Sequence, residues 1–345
     1  MLILLVFTGG TIGSTENSGF VSPDMKKPYK LMDLYKERAG KEAGDVNFEV
    51  LIPYQTLSEN IDCNNFRILA ECLEDIQTDM YDGIIITHGT DTIQYTAAFA
   101  GYIMDGCGLP VVFVSANYVL EDARSNGLDN FYYAVEFIRQ KKGKGVFVSY
   151  RNSGDFPRIH YATRLVMHQA YSDNLYSVCG LYYGWFNGSK FTCRCGEKPV
   201  NNSVSEENIY SVNTCISNEP VVSSLSGIMV VHPYPGMEYI MPGRSIKAVL
   251  HYTYHSGTIC SKPDVVKKFA DYTKAEDIPV FITGAGNGAD YESMKCYKEY
   301  GFYVLPAASP EAMYIKLWLC IINNKSTGEI VEIMQRPLAN DIVGK

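Results

Sequence analysis

The chain has 345 residues, of which 46% are hydrophobic, and a formal net charge of −8 at pH 7. At about 100–200 residues per domain, this length predicts two domains with sizeable cores. An acidic protein is a poor partner for nucleic acid or for an anionic membrane surface, and we expect it to bind neither.

Two further exclusions come from the apolar runs and the cysteines. The apolar segment Leu2–Phe7 leads straight into a glycine-rich turn, so it is interpreted as a strand and not as a signal peptide. No apolar run approaches the ~20 residues of a membrane helix, and we expect a cytoplasmic protein. The ten cysteines are scattered and lack the spacing of a zinc site, which favours free thiols with no metal and no cofactor.

The first motif follows the opening strand. Residues 8–13 read TGGTIG, which lacks both the lysine of a P-loop and the glycine spacing of a dinucleotide site. Threonine hydroxyls such as that of Thr11 suit acyl transfer, provided that something activates them. The polar stretch from Gly13 to Lys30 is long for a connection, and we expect a loop that closes over a site.

A second connection lies between a predicted strand at 50–53 and a predicted amphipathic helix at 64–80. Ser58 and Glu59 occupy this connection. Taken alone, the pattern is that of an ordinary helix cap, because serine commonly caps the residue where a helix begins.

The third motif is the strongest. A run of isoleucines predicts a buried parallel strand that ends at Thr87, and a helix pattern begins at Ile93. Between them lies HGTDT, residues 88–92. Thr90 or Asp91 could simply cap the helix, but one threonine would suffice for that, and Gly89 allows close backbone approach to a ligand.

Strands and helices alternate through the rest of the chain, which predicts an α/β fold with right-handed crossovers. We predict two domains, each an open, mostly parallel sheet flanked by helices: residues 1–192, and a smaller Rossmann-like domain at 227–345, joined by a linker at 193–226. The further predicted strands are 109–115, 145–150, 227–232, 248–252 and 280–283. The further predicted helices are 122–140, 263–272, 292–300 and 311–324. The turn at 283–288 lacks dinucleotide spacing, so a nucleotide-dependent enzyme is disfavoured.

Residues 8–12 (TGGTI) and 88–92 (HGTDT) match the two signature turns of the asparaginase family, bacterial-type amidohydrolases with a threonine nucleophile. The chain resembles the cytoplasmic type I form most. Residues 124–130 resemble the family's R-S-D-G…N segment, and residues 227–236 resemble the start of its second domain.

This resemblance implies the site residues. Thr11 would be the nucleophile, Thr90 a second catalytic hydroxyl, and Asp91 the partner of Thr90 and of the substrate's α-amino group. Substrate binding would involve Ser58, Glu59, Gly89 and Ala116. Of these, the turn of Ser58 and Glu59 would hold the α-carboxylate, where a glutamate is awkward, and backbone N–H groups at Gly89 and near Ala116 would hold the oxyanion.

The chain departs from the family at two catalytic positions. Phe20 stands where the family's closing loop carries a tyrosine, and Met167 stands where it carries the lysine that polarises the Thr–Asp pair. Arg164 is the nearest cation in sequence, but a guanidinium cannot accept a proton. Lys26 or Tyr29 could fill the vacant positions.

Two functions from different classes follow. The first is hydrolysis of the side-chain amide of L-asparagine, or of a related small amide, to the acid and ammonia. The second is a catalytically weakened or inactive homologue that binds a small amino acid. The resemblance also implies a homodimer or homotetramer, because the family places each site at a subunit contact.

Overall fold

The computed structural model describes residues 1–24, 26–194, 227–284 and 290–343. The chain divides into two compact units, residues 1–212 and 213–345. The predicted linker at 193–226 falls almost wholly outside the described residues, and so do residues 285–288 of the predicted turn at 283–288. The boundaries of 192 and 227 therefore stay predictions.

The described residues of the first unit, 1–24 and 26–194, form ten strands. They are β1 (Leu2–Phe7), β2 (Ser14–Asn17), β3 (Phe20–Pro23), β4 (Asn47–Leu51), β5 (Gly83–Thr87), β6 (Pro110–Val114), β7 (Gly145–Tyr150), β8 (Arg158–Tyr161), β9 (Gly184–Asn187) and β10 (Lys190–Cys193). Eight of them form one sheet in the order β10-β9-β8-β7-β6-β5-β1-β4, and β2 pairs separately with β3. The neighbours β4, β1, β5, β6 and β7 pair in parallel. Strands β8, β9 and β10 extend the sheet beyond β7 by antiparallel pairing.

Within the described part of this unit, the sheet is covered by the helices α1 (Lys27–Ala39), α2 (Cys63–Glu74), α3 (Ile93–Ile103) and α4 (Gly127–Arg139). Alternate residues of β1 face opposite sides, since side chains alternate along a strand. Ile3 and Leu5 pack in one core with side chains of α1 and α4, whereas Leu4 and Val6 pack in another with α2 and α3. The central strands are therefore buried on both faces, which explains their continuous apolar runs.

Strand register brings the motifs together. Phe7 at the end of β1 lies opposite Thr87 at the end of β5, and Val6 lies opposite Leu51 at the end of β4. Three neighbouring parallel strands thus end at one edge of the sheet, and each leads into one of the motif turns. In open α/β sheets this is the edge where ligands bind.

The second unit has a four-stranded parallel sheet in the order β11-β12-β13-β14, formed by Ile228–Val231, Ala248–Tyr252, Val280–Thr283 and Tyr303–Val304. Its helices are α5 (Pro263–Ala275), α6 (Lys295–Tyr300), α7 (Pro310–Ile322) and α8 (Thr327–Gln335). The predicted α/β class is confirmed in both units.

Several predicted bounds are wrong. The strand predicted at 50–53 is Asn47–Leu51, and the helix predicted at 64–80 ends at Glu74, before a separate short turn at Thr78–Met80. The helix predicted at 122–140 begins only at Gly127. The expected long loop after Gly13 is a β-hairpin followed by the start of α1. Within the described ranges, no helix is long and apolar enough to cross a membrane.

Candidate active site

Three turns meet at the carboxyl edge of β4, β1 and β5. The first turn is residues 8–13, the second turn is residues 54–60, and the third turn is residues 88–92. The first and second turns are joined by backbone hydrogen bonds from Gly10 N to Thr56 O and from Thr56 N to Thr8 O, both 3.2 Å long. The sheet pairing thus continues past the strand ends and holds these turns side by side.

Glycines bring the third turn into contact with the other two. A Cβ on Gly10 would lie 2.3 Å from the backbone nitrogen of Gly89, and Gly10 has a φ of +80°. A Cβ on Gly89 would lie 2.3 Å from Ser58 Oγ. Glycine is therefore required at both positions, because any side chain would force the turns apart. The close approach seen at Gly89 is to Ser58 and Gly10, while its predicted contact with a ligand stays a prediction.

Thr11 follows Gly10 directly and begins a short 3₁₀ turn at Thr11–Gly13. The turn is closed by a 2.9 Å bond from Gly13 N to Gly10 O, and Ser14 Oγ donates to the same carbonyl at 2.8 Å. Thr11 is half-buried, whereas the next residue, Ile12, is buried in the core. The predicted nucleophile is thus held on a short backbone turn at the sheet edge.

Thr90 is half-buried and Asp91 is exposed. Neither caps α3, because the N-cap residue is Thr92, and Thr92 makes no capping hydrogen bond with its side chain. Its hydroxyl donates instead to the backbone carbonyl of Ser58 at 2.9 Å. The capping interpretation of HGTDT is therefore wrong, and the second threonine of the motif, Thr92, links the third turn to the second.

Ser58 is 5% exposed and begins a 3₁₀ turn that ends at Asn60. The cap of α2 is Asp62, which forms a reciprocal capping box with Asn65. The capping interpretation of Ser58 and Glu59 is therefore also wrong. Glu59 is exposed, and its contact with a substrate stays a prediction.

Ala116 is buried in the segment that follows β6, where a reciprocal pair of asparagines fixes the backbone. Asn117 N donates to Asn126 Oδ1, and Asn126 N donates to Asn117 Oδ1, both at 3.0 Å. Asn130 Nδ2 donates to Ser115 O at 2.8 Å. The segment at 124–130 therefore orders the backbone on both sides of Ala116, which is a structural role that sequence reasoning did not identify.

His88 opens the third turn and is buried. Its Nδ1 donates to the carbonyl of Gly89 at 2.9 Å, and burial lowers its pKa to about 4. The ring is therefore neutral at pH 7 and serves to shape the turn.

The two departures from the family pattern are both exposed. Phe20 is 79% exposed at the tip of the hairpin formed by β2 and β3, and Met167 is 46% exposed. Lys26 and Tyr29, which could fill the vacant positions, do not place a buried cation in the site. Tyr29 is 58% exposed, Lys26 is exposed, and the neighbouring Lys27 is buried in an ion pair with Glu121.

The residue after Met167 is a titratable group that sequence reasoning missed. His168 is partly buried, and the carboxylate of Asp91 acts on it by raising its pKa, although burial has the larger effect and the net pKa is lowered. Arg164 is buried and stacks on Tyr161, with its guanidinium 4.4 Å from the ring centroid. Among the described residues, no group of three or more potential ligands is arranged to hold a metal ion.

Comparisons with known proteins agree on one family. The family model described as "Asparaginase, N-terminal" matches residues 2–190. The chain is 25% identical to a glutamyl-tRNA(Gln) amidotransferase subunit of Methanosphaera stadtmanae, over 98% of this chain and 76% of that one. It is 29% identical to the L-asparaginase 1 of Escherichia coli strain K12, over 39% of each chain.

The fold is shared with a solved structure as well. The thermostable L-asparaginase from Thermococcus kodakarensis superposes with a TM-score of 0.74 over 100% of both chains, at 22% sequence identity. The matched region, residues 2–190, includes all three turns that meet at the sheet edge.

Proposed function

The chain belongs to the asparaginase family of amidohydrolases, and we propose that it hydrolyses the side-chain amide of L-asparagine or of a related small amide, with release of ammonia. One observation carries the proposal: Gly10, Gly89 and Ser58 are in contact. That contact joins the turn of the predicted nucleophile, the turn of the Thr–Asp pair and the turn of the predicted α-carboxylate site.

The chemistry assigns each turn one task. The Thr11 hydroxyl attacks the amide carbon, and ammonia leaves. The resulting acyl ester on Thr11 is then hydrolysed by water. Backbone N–H groups at Gly89 and near Ala116 stabilise the oxyanion, because preorganised donors act strongly where charge develops. Asp91 binds the substrate's α-amino group, and Ser58 binds its α-carboxylate.

The relatives widen the choice of amide. One that matches 98% of this chain is named as an amidotransferase subunit for glutamyl-tRNA(Gln). L-Glutamine therefore belongs beside L-asparagine in any substrate panel. We also propose, from the family resemblance, a cytoplasmic homodimer or homotetramer, which light scattering on the purified chain would test.

A second candidate function is supported by Phe20 and Met167. Both positions hold side chains that cannot move a proton, and one positioned proton-transfer group commonly supplies ~10²–10⁴ in rate. The second candidate is a homologue that binds a small amino acid and turns over amides weakly or not at all.

Ammonia release from a panel of amino-acid amides tests the first candidate. We expect turnover with at least one amide, and loss of more than about 10³-fold in Thr11→Val, because this change removes the nucleophile. Thr78→Val is the matched control, since Thr78 is exposed in a separate turn. Equal turnover in Thr11→Val and wild type would refute the assignment. An inactive wild type that still binds L-aspartate favours the second candidate.

A further inference from the structure

His168 lies on an extended segment whose backbone is fixed by pairing. Leu165 pairs with Ser177, and Val166 N donates to Tyr176 O at 3.0 Å. The segment follows a 3₁₀ turn at Ala162–Arg164, and this turn packs on α3. A Cβ on Gly101, near the end of α3, would lie only 2.9 Å from Thr163 Cγ2.

The sheet register places His168 at the edge that carries the third turn. Thr87 pairs with Val114, and Val114 pairs with Ser149, so Tyr150 lies at the carboxyl end of β7 on the same edge of the sheet. The ring of His168 packs against Tyr150. The carboxylate of Asp91 in the third turn raises the pKa of His168, which agrees with this placement.

The loop that follows holds the imidazole ring in one orientation. The ring packs edge-on against Tyr150, with centroids 5.8 Å apart, and Tyr150 Oη donates to Asp173 O at 2.7 Å. Asn152 forms two hydrogen bonds with the backbone of Leu175, of 2.8 and 3.0 Å. The site is therefore preorganised by neighbouring strands.

The hydrogen bonding of the ring determines its tautomer. His168 bonds to the backbone of Asn174, and this bond raises the histidine pKa, so the ring donates to a carbonyl. Its Nε2 is buried and has no hydrogen-bond partner among the described residues, so Nδ1 is the donor. In neutral imidazole the other nitrogen is an acceptor, which leaves the lone pair of Nε2 available.

The other groups considered for this role do not fit. His88 is fully buried, and its pKa responds to burial and to the Gly89 carbonyl, with no contribution from Asp91. His160 Nδ1 is 2.8 Å from Ser177 Oγ, and the charge that acts on it is that of Arg158. Arg164 stacks on Tyr161 and cannot accept a proton.

We propose that His168 accepts a proton from the Thr90–Asp91 pair. Its Nε2 then acts as the base in place of the family's lysine, which is replaced here by Met167. This proposal rests on the proposed amidohydrolase function. Under this proposal the hydroxyl of Thr90, the imidazole of His168 and the carboxylate of Asp91 act together, and each has a distinct task.

The proton transfers balance as follows. As the Thr11 oxygen forms its bond to the amide carbon, its proton passes to Thr90, and the Thr90 proton passes to His168 Nε2. The carbonyl π electrons move to the oxygen and return when the C–N bond breaks. The imidazolium then gives its proton back through Thr90 to the departing nitrogen, which leaves as ammonia.

The electrostatic surroundings suit this cycle. Burial lowers the pKa of His168, so the ring is neutral and able to accept a proton at pH 7. Asp91 in the third turn and Asp173 in the following loop both raise that pKa, which means that both stabilise the imidazolium when it forms. Charge stabilisation is thus supplied where positive charge develops.

The test combines kinetics with a direct titration of the ring. His168→Gln should lower kcat for the best amide by ~10²–10⁴ and change KM little, and it should remove the decline in rate at low pH. His255→Gln, at an exposed histidine of the other unit, is the matched control and should behave as wild type. Adding Met167→Lys to His168→Gln should restore part of the rate.

Nitrogen-15 NMR of His168 separates this proposal from the amidohydrolase proposal. In Asp91→Asn the pKa of His168 should fall below its wild-type value, because a stabilising negative charge is removed. An unchanged pKa, or full kcat with an unchanged pH profile in His168→Gln, overturns the assignment. If the wild type releases no ammonia while the histidine pKa still depends on Asp91, the amidohydrolase proposal fails and the pairing stands.

Discussion

Gly10 and Gly89 are in direct backbone contact: a Cβ on Gly10 would lie 2.3 Å from Gly89 N, and a Cβ on Gly89 would lie 3.3 Å from Gly10 Cα. The contact joins the residue before the predicted nucleophile to the residue before Thr90. The spacing of the two threonines in the site therefore depends on the absence of two methyl groups.

Gly10→Ala should destabilise the protein and disable the site. Gly19→Ala is a matched control, because Gly19 has a φ of +82°, close to the +80° of Gly10, and a Cβ there would meet no atom within 4 Å. Both variants carry the strain of a positive φ; at Gly10, whose ψ of 177° lies in a region populated almost only by glycine, this strain is about 1–3 kcal/mol. Only Gly10→Ala adds a clash with backbone, so its melting temperature should be the lower by several degrees and its ammonia release should be lost. Equal melting temperatures would show that the turns can separate freely.

The amino-acid pocket is tested by thermal stabilisation. A ligand at 100 times its Kd that binds only the folded state adds ~2.7 kcal/mol. L-Aspartate at millimolar concentration should raise the melting temperature of the wild type, and both Asp91→Ala and Ser58→Ala should reduce that shift. Asp79→Ala, at an exposed aspartate in a separate short turn, should keep it. A wild type that responds to no amino acid or amide at this level would exclude the pocket.

Much of the fold could be predicted because local sequence patterns specify its strands and helices. Runs such as Leu2–Phe7 are apolar throughout, as strands buried on both faces must be. The hairpin at 14–23 was missed because its outer strand is fully exposed and its turn uses positive φ at Ser18 and Gly19, which is a local pattern with little hydrophobic signal. The antiparallel strands β8 to β10 were missed because each has only four residues, too few to show a clear periodicity.

The site was less predictable, because its decisive contacts join distant residues. Thr92 and Ser58 lie 34 positions apart, and only the tertiary structure shows that one donates to the other. His168 was missed since its importance depends on the packing of residues 162–164 on α3, whereas the sequence shows only a histidine after Met167. Motifs thus identified the turns, and their mutual contacts required the fold.

Buried histidines should make the first unit less stable in mild acid. Burial, assisted by the charge of Arg158, lowers the pKa of His160 to about 3, against 6.5 in the unfolded chain. The unfolded state therefore binds the extra proton below pH 6.5, so stability is complete above that pH and falls as the pH decreases toward 3. At pH 5 this one group costs about 2 kcal/mol relative to pH 7.

Denaturant unfolding at pH 7 and pH 5 measures this cost. His160→Gln should reduce the difference in the free energy of unfolding between the two pH values, because glutamine does not titrate. His255→Gln should leave the difference unchanged, since that histidine is exposed. If the difference in the free energy of unfolding between pH 7 and pH 5 is the same in both variants, carboxylates alone govern the acid sensitivity.

Met167→Lys tests whether the missing lysine limits catalysis. Methionine and lysine have similar length, and the 46% exposure of Met167 means that a lysine there keeps much of its hydration and so costs little stability. We expect a gain in kcat over a weakly active wild type, while Met167→Gln, which has no amine, should give none. Phe20→Tyr should add to the gain, because it restores the hydroxyl at the tip of the hairpin.

The size of that gain also reports on His168. If the imidazole already accepts the proton, lysine should raise kcat much more in His168→Gln than in the wild type, since two bases serving one hydroxyl are not additive. Equal gains in the two backgrounds would show that the residues act independently. Robust wild-type activity that Met167→Lys leaves unchanged would show that the site needs no lysine at all. No gain in Met167→Lys combined with Phe20→Tyr, with L-aspartate binding intact, would favour the amino-acid-binding homologue over the weakened enzyme.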